Sequence, residues 1–129
     1  MKKRVLLWLV ICCFSPYLYG QEISTDIVES FQKGSAALLE PFLNEEVLLT
    51  FDDQKNKRTK GATVDQLDKF FTVSKVQSFE VKHQSMRDES GFFIGVLTTS
   101  VSKFRVHCYF KKENQNYLIH QIRIDKANE

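Results

Sequence analysis

Residues 104–124 read FRVHCYFKKENQNYLIHQIRI, and this stretch contains two segments in which apolar and polar side chains alternate. The first segment is Phe104–Lys111 and the second is Tyr117–Ile124, with the polar residues Glu113-Asn114-Gln115 between them. Alternation with a period of two is typical of a β-strand that buries one face. The stretch therefore predicts an antiparallel hairpin near the C-terminus of the chain.

The length of the turn decides which side chains face one another across this hairpin. A turn of even length would place Phe110 opposite Ile119 and would mix apolar and charged side chains on both faces. A turn of three or five residues makes one face almost wholly apolar, through the cross-strand pairs Phe110–Leu118, Cys108–His120, Val106–Ile122 and Phe104–Ile124. Because a slip of one residue moves every side chain to the other face, burial of the apolar face favours the odd turn.

Two further strands are predicted upstream of the hairpin. Phe79, Val81 and His83 alternate with polar neighbours, and Phe92–Thr99 forms a second, more apolar segment. Gly95 interrupts that segment, which predicts a bulge or the close approach of another group to the backbone. Together with the hairpin, these segments predict a sheet of four antiparallel strands.

The N-terminal half of the chain contains helix signals instead. Ser24 is predicted to cap a first helix, and Gly34 is predicted to end it. Ser35 is predicted to cap a short second helix that Pro41 interrupts, because proline removes a backbone donor. We expect both helices to pack against the strands that follow.

A short hairpin and a third helix are predicted between these two halves. Val47–Phe51 is rich in β-forming residues, and Arg58–Lys60 is predicted to return beside it after a polar turn. Thr63 and Gln66 form a capping box, and Phe70 lies on the apolar face of the helix they begin. The order of elements predicts an α+β fold, in which N-terminal helices cover one face of a curved antiparallel four-strand sheet with an extra short hairpin.

The first 20 residues have the pattern of a secretory signal peptide. Basic residues at positions 2–4 precede the apolar run Val5–Phe14, and Gly20 follows the helix breaker Pro16. The apolar run is shorter than the roughly 20 residues that span a bilayer. Cleavage after Gly20 would leave residues 21–129 as a single domain, exported to the periplasm or outside the cell.

The cysteines bear on anchoring and on stability. Ile11 precedes Cys12 where lipid attachment requires a small residue, and Cys13 lies deep in the same apolar run, so lipid anchoring is disfavoured. After cleavage Cys108 alone remains, and no disulfide can form within the domain. Its spacing from Val106 predicts a buried, inert thiol.

Charge and histidine spacing exclude several classes of partner. The chain has 18 Lys+Arg and 16 Asp+Glu, and without the three basic residues of the leader the balance is 15 against 16. A nearly neutral domain has no global field for nucleic acid or for an anionic membrane, so neither is an expected partner. His83, His107 and His120 lie on different predicted strands and not at ligand spacing, so no metal or cofactor is predicted. His120 is expected on the apolar face beside Cys108.

These segments also carry a family resemblance, and the matching pieces are Phe70-Phe71, His83-Gln84, Phe93-Ile94-Gly95-x-Leu97-x-Thr99, Phe104-Arg105-Val106 and Gln121-Ile122-Arg123-Ile124. The chain resembles the nuclear transport factor 2-like superfamily and, more narrowly, the exported bacterial family called domain of unknown function 4783. It departs from the family pattern at two turn positions, where Ser85 and Lys103 replace glycines. The resemblance implies a cone, in which the sheet wraps a helix around a pocket, and no assigned activity.

Three hypotheses of function follow. The leading one is an exported, non-catalytic cone domain that binds a small ligand or a protein. The second is a small enzyme that uses the cone pocket, with His83 and a nearby carboxylate as the chemical groups, because His83 shares a phase with apolar residues. The third is a structural homodimer that pairs through the outer sheet face, where Tyr109, Tyr117 and Ile119 would supply apolar contact.

The polar face of the predicted hairpin suggests a binding site. With an odd turn, Arg105 lies directly opposite Arg123, and like charges in this arrangement are unfavourable. An acid such as Glu80 or Asp125 is the simpler compensator, and an anionic ligand held by both guanidinium groups is the alternative. His83, Arg105 and Arg123 are therefore the candidate ligand-binding residues.

The position of the leader cleavage is directly testable. Intact mass of the protein secreted by its native host should correspond to a chain that begins at or near Gln21, since the small residue Gly20 follows the apolar run. A product that retains residues 1–20, or a lipid adduct on Cys12 or Cys13, would contradict this expectation.

Overall fold

The computed structural model of the protein describes residues 24–127. The predicted signal peptide, residues 1–20, lies outside the described residues. Three helices are present in the described range: α1 (Thr25–Lys33), α2 (Ala36–Leu39) and α3 (Lys60–Val73), with a 3₁₀ turn at Glu40–Phe42. The strands are β1 (Leu43–Phe51), β2 (Gln54–Thr59), β3 (Val76–Met86), β4 (Ser90–Thr99), β5 (Lys103–Glu113) and β6 (Asn116–Lys126). None of the helices in this range is long and apolar enough to cross a bilayer.

The predicted caps of the first two helices are confirmed. The side chain of Ser24 accepts a hydrogen bond from the backbone N–H of Asp26, and Gly34 ends α1 with a positive φ of 63°. The side chain of Ser35 accepts from the N–H of Leu38 at the start of α2. These local signals need no tertiary contact, because the cap satisfies backbone donors that lie next to it in the chain.

The predicted start of the third helix is wrong. Thr59, rather than Thr63, caps α3, and its hydroxyl accepts from the N–H of Ala62 at 3.2 Å. Thr63 is buried inside the first turns, where its own hydroxyl donates to the carbonyl of Thr59 at 2.8 Å. Because β2 extends to Thr59, the chain passes directly from strand to helix, and no room remains for a separate cap.

The sheet has six strands, in the order β2-β1-β6-β5-β4-β3, rather than four strands with a separate hairpin. The β1–β2 hairpin belongs to the same sheet because β1 pairs in parallel with β6, with Leu49 beside Ile122. All other neighbours are antiparallel. This arrangement places the buried residues Val47 and Leu49 in the same core as the long strands.

The register of the β5–β6 hairpin corrects the prediction from the sequence. The turn has two residues, Asn114 and Gln115, with φ values of 50° and 77°, and Phe110 therefore pairs with Ile119. Next to this pair, His120 is an extra residue in β6, so the register shifts and Cys108 pairs with Ile122. A β-bulge thus restores an apolar face after an even turn. The prediction considered only the length of the turn and did not include a bulge within the strand.

A second bulge lies in β3 and reverses the predicted orientation of His83. Val81 pairs with Gly95, but His83 pairs with Ile94, so Lys82 is the extra residue. Gly95 belongs to the phase of β4 that faces the helices, and Ile94 to the opposite phase. His83 therefore leaves the face that Phe79 and Val81 share.

Phenylalanine rings fill the space between the helices and the sheet. Phe31 of α1 packs on Phe79 and Phe93, with ring centroids 5.0 and 6.0 Å away. Gly95 permits this packing, since a Cβ atom there would lie 2.6 Å from Cζ of Phe79. The predicted close approach at Gly95 is confirmed, and so is the burial of Cys108, which raises the pKa of its thiol.

The core assignment gives a stability prediction. Ile122→Ala should lower the free energy of unfolding by about 2–5 kcal/mol, because the side chain is fully buried and its loss leaves a cavity. Val73→Ala is the control, since Val73 is 72% exposed. Urea denaturation of both variants measures the difference, and equal midpoints would show that the buried face of β6 has been misassigned.

Candidate functional site

One face of the sheet packs against the helices, and the opposite face, called here the outer face, is not covered by any described element. A cavity of about 570 Å³ lies on this outer face. Its floor is a single row of paired residues, one from each strand, called here the floor row. The floor row consists of Ser85, Phe92, Tyr109, Gln121, Leu48 and Lys57, in order from β3 to β2, and all six line the cavity.

Two irregularities in neighbouring strands shape this groove. In β6 the bulge at His120 lies beside the floor row, and His120 lines the groove rather than the core. In β1, pairing with β6 is interrupted between Leu43 and Leu48, and Asn44 and Glu46 of this interval also line the groove. Bulges locally bend a strand and disrupt its ladder, so the sheet is deformed where β1 and β6 meet.

The middle of the groove has an aromatic surface. Phe92 of β4 and Tyr109 of β5 are cross-strand partners, and their ring centroids lie 6.2 Å apart with an angle of 42° between the planes. Tyr109 is 40% exposed, and Phe92 beside it is partly exposed. Two adjacent rings of this kind offer a platform for a flat or apolar part of a ligand.

The walls of the groove are predominantly cationic. Lys57, Arg87 and Lys111 line it, and none of the ion pairs formed within residues 24–127 includes them. Among the described residues that line the groove, Glu46 is the only one with a carboxylate. The local charge therefore differs from that of the whole domain, which is close to neutral.

His120 lines the groove and lies close to a neighbouring acid. Its Nε2 atom lies 3.2 Å from Oε2 of Glu113, without meeting hydrogen-bond geometry, and the atom is otherwise buried. The expectation that His120 lies on the apolar face beside Cys108 is wrong, since Cys108 pairs with Ile122 and the bulge displaces His120 from the ladder.

Arg123 is bound by two carboxylates, and the predicted register did not place both of them beside it. Its Nε donates to Oδ2 of Asp125 at 2.6 Å, and its Nη2 donates to Oδ1 of Asp53 at 2.9 Å. Asp53 and Asp52 form the β1–β2 turn, and Asp52 accepts from the N–H of Lys126 at 3.1 Å. These acids, Asp125 first, raise the pKa of Arg123 and tie the turn to the end of β6.

Arg105 does not face Arg123. The bulge places Arg105 opposite Asp125 and Arg123 opposite His107, so the predicted arginine pair does not form. Burial, with a further contribution from the charge of Arg123, lowers the pKa of His107. Arg105 is exposed and lines a separate cavity of about 260 Å³ with Lys82 and Lys103 among its neighbours.

His83 is exposed on the outer phase of β3, at the edge of the sheet. None of the ion pairs within residues 24–127 includes it. The structure therefore places none of His83, Arg105 and Arg123 in the groove and does not bring them together as a single site. The predicted place of Tyr109 on the outer face is confirmed. No local signal in the sequence joins Tyr109 to Leu48 and Lys57, which lie far from it in the chain.

The side of the sheet that carries the helices has its own cavity, of about 470 Å³, near the N-terminus of α1. Apolar side chains such as Ile27, Phe42 and Met86 dominate its lining, and the hydroxyl of Tyr117 donates to the carbonyl of Arg87. Tyr117 therefore lies on this side, and Ile119 is fully buried, so the predicted outward patch of Tyr109, Tyr117 and Ile119 does not exist as a unit. Between Ser24 and Ala127, no three His, Cys, Asp or Glu side chains are grouped so that they could hold a metal ion.

The fold is that of the nuclear transport factor 2-like class. An NTF2-like protein of unknown function from Shewanella baltica superposes with a TM-score of 0.62 at 8% identity, covering 81% of this chain and 88% of that one. Residues 24–125 match the family described as Domain of unknown function (DUF4783), and the chain belongs to that family.

Solved structures of the same family are similar over their whole length. The DUF4783 family protein from Bacteroides ovatus is 44% identical, with a TM-score of 0.82, and the alignment covers 85% of this chain and 100% of that one. The corresponding protein from Bacteroides uniformis is 39% identical, with a TM-score of 0.81 and coverage of 84% and 100%. Among curated proteins, none matches the chain.

The different environments of the two arginines give a prediction. Arg123→Gln should lower the urea midpoint, because Asp53 and Asp125 lose a charged donor and the β1–β2 turn loses its tie to β6. Arg105→Gln is the matched control on the same face and should leave the midpoint unchanged. Equal shifts for the two variants would show that the Asp53–Arg123–Asp125 contacts contribute nothing specific to stability.

Proposed function

We propose that this chain is an exported, non-catalytic domain that binds an anionic ligand in the outer-face groove. The observation that carries the proposal is that Lys57, Arg87 and Lys111 line the same groove as the aromatic pair Phe92–Tyr109. None of the three cations forms an ion pair within residues 24–127. The volume of the groove lies within the roughly 300–1,000 Å³ that is usual for small-molecule sites. The export part of the proposal rests on the leader pattern of residues 1–20.

The charge of the groove favours an anion over a neutral or cationic ligand. Three cations lie along one groove, and a concave low-dielectric wall concentrates the field of charges that line it. Of the lining residues that the structure describes, Glu46 alone carries an opposing negative charge. A carboxylate, sulfate or phosphate group would form charge-assisted hydrogen bonds with these side chains, and such bonds are among the stronger polar contacts in proteins.

The arrangement of the groove supports binding more than catalysis. A general acid or base must present its proton-bearing atom to the ligand. In His120, Nε2 is buried, so this atom is not offered to the groove. The geometry gives no support to an enzyme that uses His83 in a cone pocket. Such a pocket would lie between the sheet and the helices, whereas His83 is exposed on the outer face.

A homodimer through the outer face is the second candidate function. Phe92, Ile94 and Val96 alternate along β4 on the uncovered face and are only partly exposed. A second copy that covered this strip would also cover part of the groove. Light scattering of residues 21–129 distinguishes the two candidates, because a monomer at high micromolar concentration that still binds anions supports the ligand-binding proposal.

Ligand binding is testable with simple anions. Glucuronate, benzoate, citrate, phosphate and sulfate should be compared at constant ionic strength by thermal shift and by calorimetry, and at least one should stabilise the wild type beyond sodium chloride. Lys111→Gln should weaken binding of that anion roughly tenfold or more, as expected for the loss of a hydrogen bond to a charged group.

Lys69→Gln is the matched control for this experiment, because Lys69 is an exposed lysine of α3, outside the groove. Circular dichroism should establish that both variants are folded. If no anion stabilises the wild type, or if Lys69→Gln and Lys111→Gln weaken binding equally, the groove is not an anion site.

A further inference from the structure

Resting on the proposed function, we infer that the ligand is an acidic oligosaccharide that lies across the strands, along the floor row. The first reason is the length of the site. Six strands at a spacing of about 4.8 Å give the row a length of about 24 Å, from Ser85 of β3 to Lys57 of β2. A single small anion would occupy only part of such a groove, whereas a chain of several sugar rings would fill it.

The second reason is the aromatic platform in the middle of the row. A pyranose ring has a face of C–H groups, and such faces pack on aromatic rings, whose π-faces carry partial negative charge. Phe92 and Tyr109 lie side by side, and their centroid separation of 6.2 Å gives a continuous surface that extends across two strands. Tyr109 also keeps its hydroxyl available at the polar end of the ring.

The third reason is the neutral polar lining on both sides of this platform. Ser85 and Ser90 contribute hydroxyl groups from β3 and β4, and Gln121 contributes an amide from β6. Asn44 of β1 contributes its amide oxygen, while its amino group donates to the carbonyl of Glu46. Hydroxyl and amide groups can each donate and accept, which matches the paired donor and acceptor character of sugar hydroxyls. A simple carboxylate or phosphate can accept from these donors, but it leaves their acceptor oxygens without a partner.

The fourth reason is the distribution of the cations along the row. Lys57 lies at the β2 end, Arg87 lies next to the β3 end, and Lys111 lies between them on β5. Arg87 lies in the turn that follows β3. The hydroxyl of Tyr117 donates to the backbone carbonyl of Arg87 and anchors the backbone there. Cations at separate points require acidic groups on more than one sugar, as in an oligouronate.

The direction of the groove argues against an acidic peptide. Extended peptides usually bind by adding a strand to an open sheet edge, where unpaired backbone groups are available. The floor row crosses the sheet from strand to strand, and its four central residues belong to strands that are paired on both sides. A peptide lying along the row would therefore find side chains but no backbone ladder.

The inference can be tested by calorimetry with galacturonate, trigalacturonate, hexagalacturonate, maltohexaose and hexaglutamate at constant ionic strength. We expect hexagalacturonate to bind at least tenfold more tightly than galacturonate, and maltohexaose and hexaglutamate to bind more weakly than hexagalacturonate. Lys57→Gln and Arg87→Gln should remove most of the gain with chain length. Tyr109→Ala should weaken binding of both the monomer and the hexamer.

Arg105→Gln is the matched control, because Arg105 is an exposed cation of the same face that lies outside the groove. It should change neither affinity. If simple anions bind the groove but affinity does not rise with chain length, or if Lys57→Gln leaves hexagalacturonate binding intact, the oligosaccharide assignment is wrong while the anion site stands. Equal or tighter binding of hexaglutamate overturns it as well. If no anion binds at all, the proposed function itself fails.

Discussion

The extra residue His120 in β6 is the feature on which the rest of the structure depends. A two-residue turn sets Phe110 opposite Ile119, and without a bulge the remaining pairs would place charged side chains in the core. With the bulge, Ile122 and Ile124 pair with Cys108 and Val106, and all four are buried. The residue that repairs the core also deforms the sheet on its other face, and it thereby contributes a wall to the groove.

The pairing of β6 with β1 on one side and β5 on the other also determines which cationic side chains are bound by carboxylates of the protein itself. Because β1 lies beside β6, the turn acid Asp53 reaches Arg123, and Arg123 is engaged by two carboxylates. Lys57 and Lys111 come from strands of the same sheet, but neither has such a partner among residues 24–127. The cations that attract attention in the sequence, Arg105 and Arg123, are therefore not those that surround the groove.

Packing between the helices and the sheet bears on where a ligand can bind. In this chain the rings of Phe31, Phe79 and Phe93 occupy that space, and the cavity at its edge is lined mainly by apolar side chains. The outer face combines exposed aromatic, cationic and neutral polar groups in one concave surface. Membership of the NTF2-like class establishes the fold, but a proposal of function has to rest on such a site, because one fold serves many functions.

Local patterns determined much of this protein from the sequence alone: the α+β class, the caps at Ser24 and Ser35, and the four long strands. They could do so because caps depend on neighbours in the chain and alternation depends on which side of one strand is buried. The tertiary structure alone decided three features. These are the joining of the β1–β2 hairpin to the sheet, the face on which His83 lies, and the partners of Arg123. Bulges at Lys82 and His120 shift the phase within a strand, and the parallel pairing of β1 with β6 joins distant segments. The bulge in β6 could not be predicted because Leu118, Ile122 and Ile124 also fit an unbroken alternation. The parallel pairing leaves no mark in the local sequence at all.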